Sequence, residues 1–255
     1  GDRVEIVVEK TPFYAMAGGQ AGDTGVFETA DAVISIEDTF ADPSGLVIHK
    51  GEVEKGGLSK GDAVTMKVDR QKRMHTARNH TATHILHSAL RSIVGDHVKQ
   101  AGSLVTHDRL RFDFTHFSPV SEEDMADIER RVNQRIRENH AVTTEEMSMD
   151  DAEKSGAVAL FEEKYGETVR VVSQGDFSRE LCGGTHVERS GDIGSFRILS
   201  ETGIASGVRR IEAVTGHMAT EESIRRHRIL KELSGLVKAT ADELPEKVAL
   251  LSKEK

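Results

Sequence analysis

Arg78-Asn79-His80-Thr81-Ala82-Thr83-His84-Ile85-Leu86-His87 is the stretch around which the chain is arranged. As a helix turning about 100° per residue, it puts Ala82, Ile85, Leu86, Ala89, Leu90 and Ile93 on one side, the spacing of a core-facing stripe. His80, His84 and His87 fall on the other side, and His80 and His84 are one turn apart, within reach of one point. Much later, Leu181-Cys182-Gly183-Gly184-Thr185-His186 carries the single cysteine in a Cys-x-x-x-His arrangement. His80, His84, Cys182 and His186 together are four good donors for Zn2+. Taken singly, three histidines on a helix read as wet surface and one cysteine as a small core residue. The two motifs together point to zinc, with His87 as an alternative ligand. A metalloprotease is excluded, because its general-base Glu would follow the first His and Thr81 stands there.

With 255 residues, 37% of them apolar, the chain can build one large domain or two ordinary ones. No apolar run approaches the roughly 20 residues of a spanning helix, and Asp2, Arg3 and Glu5 interrupt any signal-like start. One cysteine precludes an internal disulfide and fits a reducing cytoplasm. Gly1 in place of Met and the charged helical ending Lys253-Glu254-Lys255 read as a piece of a longer protein. The net charge of −9 argues against a general nucleic-acid binder. RNA would have to follow a local track: Lys67, Arg70, Lys72, Arg73 and Arg78, then Arg209-Arg210 and Arg225-Arg226-Arg228.

The fold class expected is α+β. Residues 1–70 hold five short β-branched runs separated by turn residues, which suggests a small N-terminal β-barrel. Thr11-Pro12-Phe13-Tyr14-Ala15-Met16-Ala17-Gly18-Gly19-Gln20 lies inside it, with Gly18-Gly19 read as a hairpin. Residues 71–219 follow as an α+β core with antiparallel strands. The histidine helix covers about 74–94 and ends at Gly95. Strands are expected at 102–105 and 110–114. A helix capped by Ser121 then buries Met125, Ile128, Val132 and Ile136. A strand near 141–147, a short helix near 150–160 and strands at 169–172, 177–182, 193–200 and 207–214 complete the core. Residues 220–255 are helical, with Ile224, Leu230, Leu233 and Val237 inward and breaks at Gly235 and Pro245.

Segments 11–20, 80–87, 102–114, 176–187 and 203–216 resemble the editing region of the bacterial alanyl-tRNA synthetases. The motifs are Thr-Pro-Phe-Tyr-Ala…Gly-Gly-Gln, His-Thr-Ala-Thr-His, Cys-Gly-Gly-Thr-His and Gly-Val-Arg-Arg-Ile-Glu-Ala-Val-Thr-Gly, in that order, and they cover essentially the whole chain. The resemblance implies a small barrel joined to an editing core shared with threonyl-tRNA synthetase. It also implies zinc held by His80, His84, Cys182 and His186, and a final helix that begins an oligomerisation region. Nothing resembles an ATP-binding aminoacylation domain. The family usually carries Glu where this chain has Met16.

Hydrolysis of the ester in tRNA(Ala) mischarged with serine or glycine is the activity so implied. A pocket that fits alanine excludes glycine poorly and serine only about 100-fold, so a second site restores fidelity. Thr83 matches the residue that reads the serine hydroxyl, and Gln100 and Arg209 match positions that assist editing. An amide can orient water or ester, and an arginine can hold phosphate or a developing oxyanion. Asp108 and Asp176 are unassigned carboxylates open to proton transfer. Four protein ligands would make the metal structural, three plus water catalytic. The alternatives are a non-enzymatic zinc-stabilised tRNA-binding module and a free-standing trans-editing deacylase.

Overall fold

The computed structural model describes residues 1–158 and 166–253. Residues 1–216 form one compact unit and 217–255 another.

The first unit opens with β1 (Arg3–Ile6), β2 (Gly25–Glu28), β3 (Val33–Ala41), β4 (Val47–Lys55) and β5 (Thr65–Val68). These pair antiparallel in the order β1-β4-β3-β2-β5. β1 and β5 stay on opposite edges, so the sheet is open, not the closed barrel expected. Closure needs tilted strands long enough to stagger around a ring, and here both edge strands have four residues. Phe13, Phe27, Ala32, Ile34 and Ile36 form its core. Gly18 and Gly19 do make a hairpin turn, both at positive φ (55° and 82°), with Ala17 and Gln20 bonded backbone to backbone.

α1 (Arg70–Ile93) starts four residues earlier than the apolar stripe suggests. Asp69 caps it, accepting from the amides of Gln71 and Lys72 at 3.1 and 3.0 Å, so Arg70, Lys72 and Arg73 belong to its first turn. Gly95 follows at φ 133°. Beyond it, β6 (Gln100–Val105) and β7 (Leu110–Thr115) join β11 (Phe196–Ala205) and β12 (Val208–Thr215) in a sheet ordered β11-β12-β7-β6. α2 (Glu122–Arg137), capped by Ser121, buries Ile128, Val132 and Ile136 as its spacing predicts. A third sheet, β10-β9-β8, comprises β8 (Val142–Ser148), β9 (Thr168–Gln174) and β10 (Ser178–Leu181). α3 (Met149–Lys154) follows β8 directly; the rest of the helix expected near 150–160 reaches residues outside those described, as does the ending at 254–255.

Ala82, Ile85, Leu86, Ala89 and Leu90 of α1 pack with Phe112 and Phe114 of β7, Ile211 and Ala213 of β12 and the stripe of α2. Burying each of Ile85, Leu86 and Leu90 contributes about 1.5–3 kcal/mol, which fixes the rotation of α1 and hence the direction of its histidines. The second unit contains α4 (from His217 to Val237 within it) and α5 (Leu244–Lys253). Ile224, Leu230 and Leu233, expected inward, are 56%, 41% and 46% exposed; two helices alone offer too little apolar surface to cover them. Gly235 lies within α4, and the break falls after Val237, where Lys238 takes φ 51°.

Candidate metal centre

His80, His84, Cys182 and His186 converge, each offering one donor atom and all four atoms within 4.8 Å of one another. The Cys182 Sγ lies 3.4 Å from His80 Nε2 and 3.3 Å from His186 Nε2. A tetrahedral zinc with Zn–S of about 2.3 Å and Zn–N of about 2.0–2.1 Å sets such donors roughly 3.5 Å apart. The spacing therefore fits.

Each ring is also turned by a second partner. His80 Nδ1 lies 2.6 Å from Gln20 Oε1, and His186 Nδ1 lies 3.1 Å from Thr81 Oγ1. His84 Nδ1 meets the buried carboxylate of Glu180. With every Nδ1 engaged, each imidazole presents Nε2 as the free donor, the arrangement that fixes tautomer and direction in metal-ligating histidines. Burial alone would raise the Cys182 thiol, but the His80 and His84 rings overturn that and hold it far below its usual range, as thiolate. Burial pushes His186 down to about 3, so it stays a neutral donor. Burial works against charge on both His84 and Glu180, yet each favours the charged form of the other.

The chain folds to this arrangement for local reasons. A Cβ on Gly184 would fall on the His80 ring, whereas one on Gly183 would meet nothing within 4 Å. Only the second glycine of the pair is demanded by space. Arg170 Nη1 donates to the carbonyls of Cys182 and Gly184 at 2.7 and 2.8 Å, holding the turn. Gln20 reaches across from the hairpin: its Oε1 accepts from Thr185 N at 2.9 Å and its Nε2 donates to Thr185 Oγ1 at 2.9 Å. The hairpin is itself pinned to β6, with Val105 N donating to Gly19 O at 2.7 Å.

His80, His84 and Cys182 of the quartet line a cavity of about 300 Å3, together with Gly18, Thr83, His87, Gln100, Phe112 and Glu180; His186 stands outside the lining. His87 joins the wall without joining the quartet; its Nδ1 lies 2.7 Å from Glu180 Oε1. Thr83 is buried and donates to Asn79 O at 2.8 Å. Arg209 is not among the lining residues: Glu201 clamps it by two bonds of 2.5 and 2.6 Å in the β11–β12 hairpin. Asp108 bonds Thr106, and neither it nor Asp176 lines the cavity. The Met16 side chain is 54% exposed and also lies outside the lining.

Two family models match parts of the chain: the threonyl and alanyl tRNA synthetase second additional domain over residues 169–212, and the class II (A) tRNA synthetases over 1–72. An alanine–tRNA ligase of Desulfosudis oleivorans is 55% identical over 251 residues, 98% of this chain and 29% of that protein. The chain belongs to the alanine–tRNA ligase family. A Methylococcus capsulatus member is 52% identical over 248 residues and a Lachnoclostridium phytofermentans member 49% over 254, covering 97% and 100% of this chain. The chain spans 29% of the length of each of these relatives.

For a member of a tRNA ligase family, the basic residues carry less than their number suggests. Arg73 pairs with Asp23, Arg210 makes two bonds to Asp113 at 2.7 and 2.8 Å, and Arg225 and Arg226 both bond Glu222. Arg78 donates to Asp192 O at 2.8 Å. Sequence reasoning missed Gln20, Thr81, Arg170 and Glu180. Glu180 left a signal, an acid in a β-pattern two residues before the only cysteine. Gln20 adjoins a glycine pair, a place where backbone approaches something closely.

Proposed function

We propose that this chain is the editing portion of an alanine–tRNA ligase and hydrolyses the ester of Ser-tRNA(Ala) and Gly-tRNA(Ala), sparing Ala-tRNA(Ala). The observation that carries this reading is the sharing of one cavity by Thr83, Gln100 and three of the four converging donors, His80, His84 and Cys182. The parent protein would ligate alanine to tRNA(Ala) elsewhere in its chain.

The donor chemistry favours zinc: one thiolate and three imidazoles at tetrahedral spacing. Bound there, zinc supplies a fixed positive charge beside the ester and holds the Cys182–His186 turn against α1. The chain's own residues do the rest. Gly18 lines the cavity with bare backbone and Phe112 with an apolar ring. Thr83, its own proton committed to Asn79 O, offers a lone pair to the amino acid. Gln100 offers amide hydrogens to ester or water. An aminoacyl ester is already activated, so holding it near a positioned water accounts for much of the rate. Arg209, bonded to Glu201 and outside the cavity lining, would act on the RNA and not on the amino acid.

The test is deacylation of Ser-tRNA(Ala) by wild type, Cys182→Ala and Thr83→Val. Cys182→Ala should lose more than about 100-fold in rate, above the 10–100-fold typical of losing an outer partner of a ligand. Thr83→Val should narrow the preference for serine over alanine. Full-rate hydrolysis after complete chelation would sink the role given to the metal. Retention of mischarged tRNA without turnover would favour a binding module instead.

A further inference from the structure

Phe117 is 91% exposed, the most exposed of the large apolar side chains and the only exposed phenylalanine or tyrosine among the described residues. Scattered exposed aliphatic residues are ordinary, but folding gains nothing from a bare phenylalanine ring. The backbone beneath it is fixed. Thr115 N donates to Lys99 O at 2.9 Å and Thr115 Oγ1 to His97 O at 2.8 Å. His116 N donates to Gly207 O at 3.0 Å, and further on Val120 is buried in the core and Ser121 caps α2. A Cβ on Gly207 would come within 3.3 Å of Phe117 Cε1 and 3.5 Å of Cδ1. One edge of the ring therefore lies beside the bare β11–β12 turn, and at 91% exposure both of its faces are open. The cavity is close by along the sheet. Gln100, which lines it, pairs with Phe114 across β6 and β7, and Phe117 follows Phe114 by three residues, at most about 11 Å of chain. The Lys99 side chain, on the strand opposite Thr115, is exposed and without a partner among the described residues. The acids nearby are matched: Glu201 by Arg209, Asp124 by Ser121 and Asp96 by Arg91.

We propose that Phe117 is a stacking platform for a base in the unpaired 3′ strand of the tRNA, upstream of the esterified nucleotide, with Lys99 against the neighbouring phosphate. This deepens the editing reading and rests on it. Every base has a π-face and stacks on an aromatic ring whatever its sequence, while a cation beside the ring serves the backbone. A base must be unpaired to lie flat on a side chain, as the end that carries an aminoacyl ester is. A protein partner would call for a contiguous apolar patch, but the residues around the ring, His116, Ser118 and Lys99, are polar. A strand held at Phe117 has its free end within reach of the Gln100 side of the cavity, so the platform would set how far the ester enters.

The chain has no tryptophan, so Phe117→Trp installs a single fluorescent reporter. Titrating that variant with uncharged tRNA(Ala) should quench its emission, and tRNA(Ala) trimmed of its unpaired 3′ nucleotides should not. In deacylation of Ser-tRNA(Ala), Phe117→Ala should raise KM about 5- to 150-fold, the worth of one stacked base, with kcat kept. Phe117→Tyr should hold the wild-type KM and Phe117→Leu should not. All of these variants should unfold in urea as wild type does, because the side chain is exposed. Equal quenching by intact and trimmed tRNA, or a KM unmoved in Phe117→Ala, would overturn the platform. So would a Leu variant as good as the Tyr variant, which would mean an apolar contact without stacking. The titration needs no turnover, and that separates the two readings. Quenching without deacylation would sink editing and leave the platform; deacylation without quenching would do the reverse.

Discussion

The His/Cys quartet and the Arg209–Glu201 pair in the β11–β12 hairpin are both tight polar constellations, and they differ in what surrounds them. In the quartet, two buried imidazoles meet a half-buried imidazole and thiolate, each ring held from behind by Gln20, Thr81 or Glu180. In the hairpin, two residues eight apart satisfy each other and draw on no distant segment. A buried cluster of ligands that the fold must assemble from residues 20 to 186 is costly to keep without a ligand to bind. A local ion pair such as this one, its side chains 15% and 10% exposed, satisfies itself and calls for no ligand.

The sharpest way to break the contrast is Gly184→Ala. Its methyl would occupy the His80 ring, so bound zinc, measured by elemental analysis, should fall below half of wild type. Gly183→Ala, with open space around it, should retain full occupancy. Equal loss from both would mean that backbone bending, and not room for His80, is what the motif supplies. Next come the partners behind the rings. Gln20→Ala and Thr81→Val should each weaken zinc roughly 10–100-fold in a competition titration against a chelator. Gln20→Ala should weaken it more, because it also frees Thr185. The smallest effect on zinc belongs to Arg209→Gln. Urea unfolding should come earlier, since Glu201 loses its partner, and zinc content should not change, while KM for tRNA rises. Loss of metal in that variant would erase the distinction between the two regions.

How much of this was legible beforehand varies by element. α1 announced itself through Ala82, Ile85, Leu86, Ala89 and Leu90, because a long helix packed on one side must repeat its apolar residues at the helical period. The same argument misjudged α4: Leu230, Leu233 and Val237 repeat at helical spacing, yet Leu230 and Leu233 stand exposed, and the exposed Ile224 falls on the face opposite Leu233. Periodicity shows that a face is apolar, not that anything within the chain covers it. The sheet of residues 1–68 was legible strand by strand, but its closure was not, since edge pairing depends on register and strand length together. The candidate metal-binding cluster was legible because few residue types are good metal donors and here they stand at short spacings. Arg209 could be named from resemblance, yet only its bond to Glu201 shows that it stands apart from the cavity.

Sequence by itself determined the α+β class, the direction of the histidine face and the four residues that converge as candidate donors, because local periodicity and donor chemistry are properties of short segments. Tertiary structure alone decided which atoms stand behind those donors, that Gly184 and not Gly183 makes room for His80, and that Phe117 is left bare beside the β11–β12 turn. These depend on contacts between residues up to 165 positions apart, and no short segment carries that information.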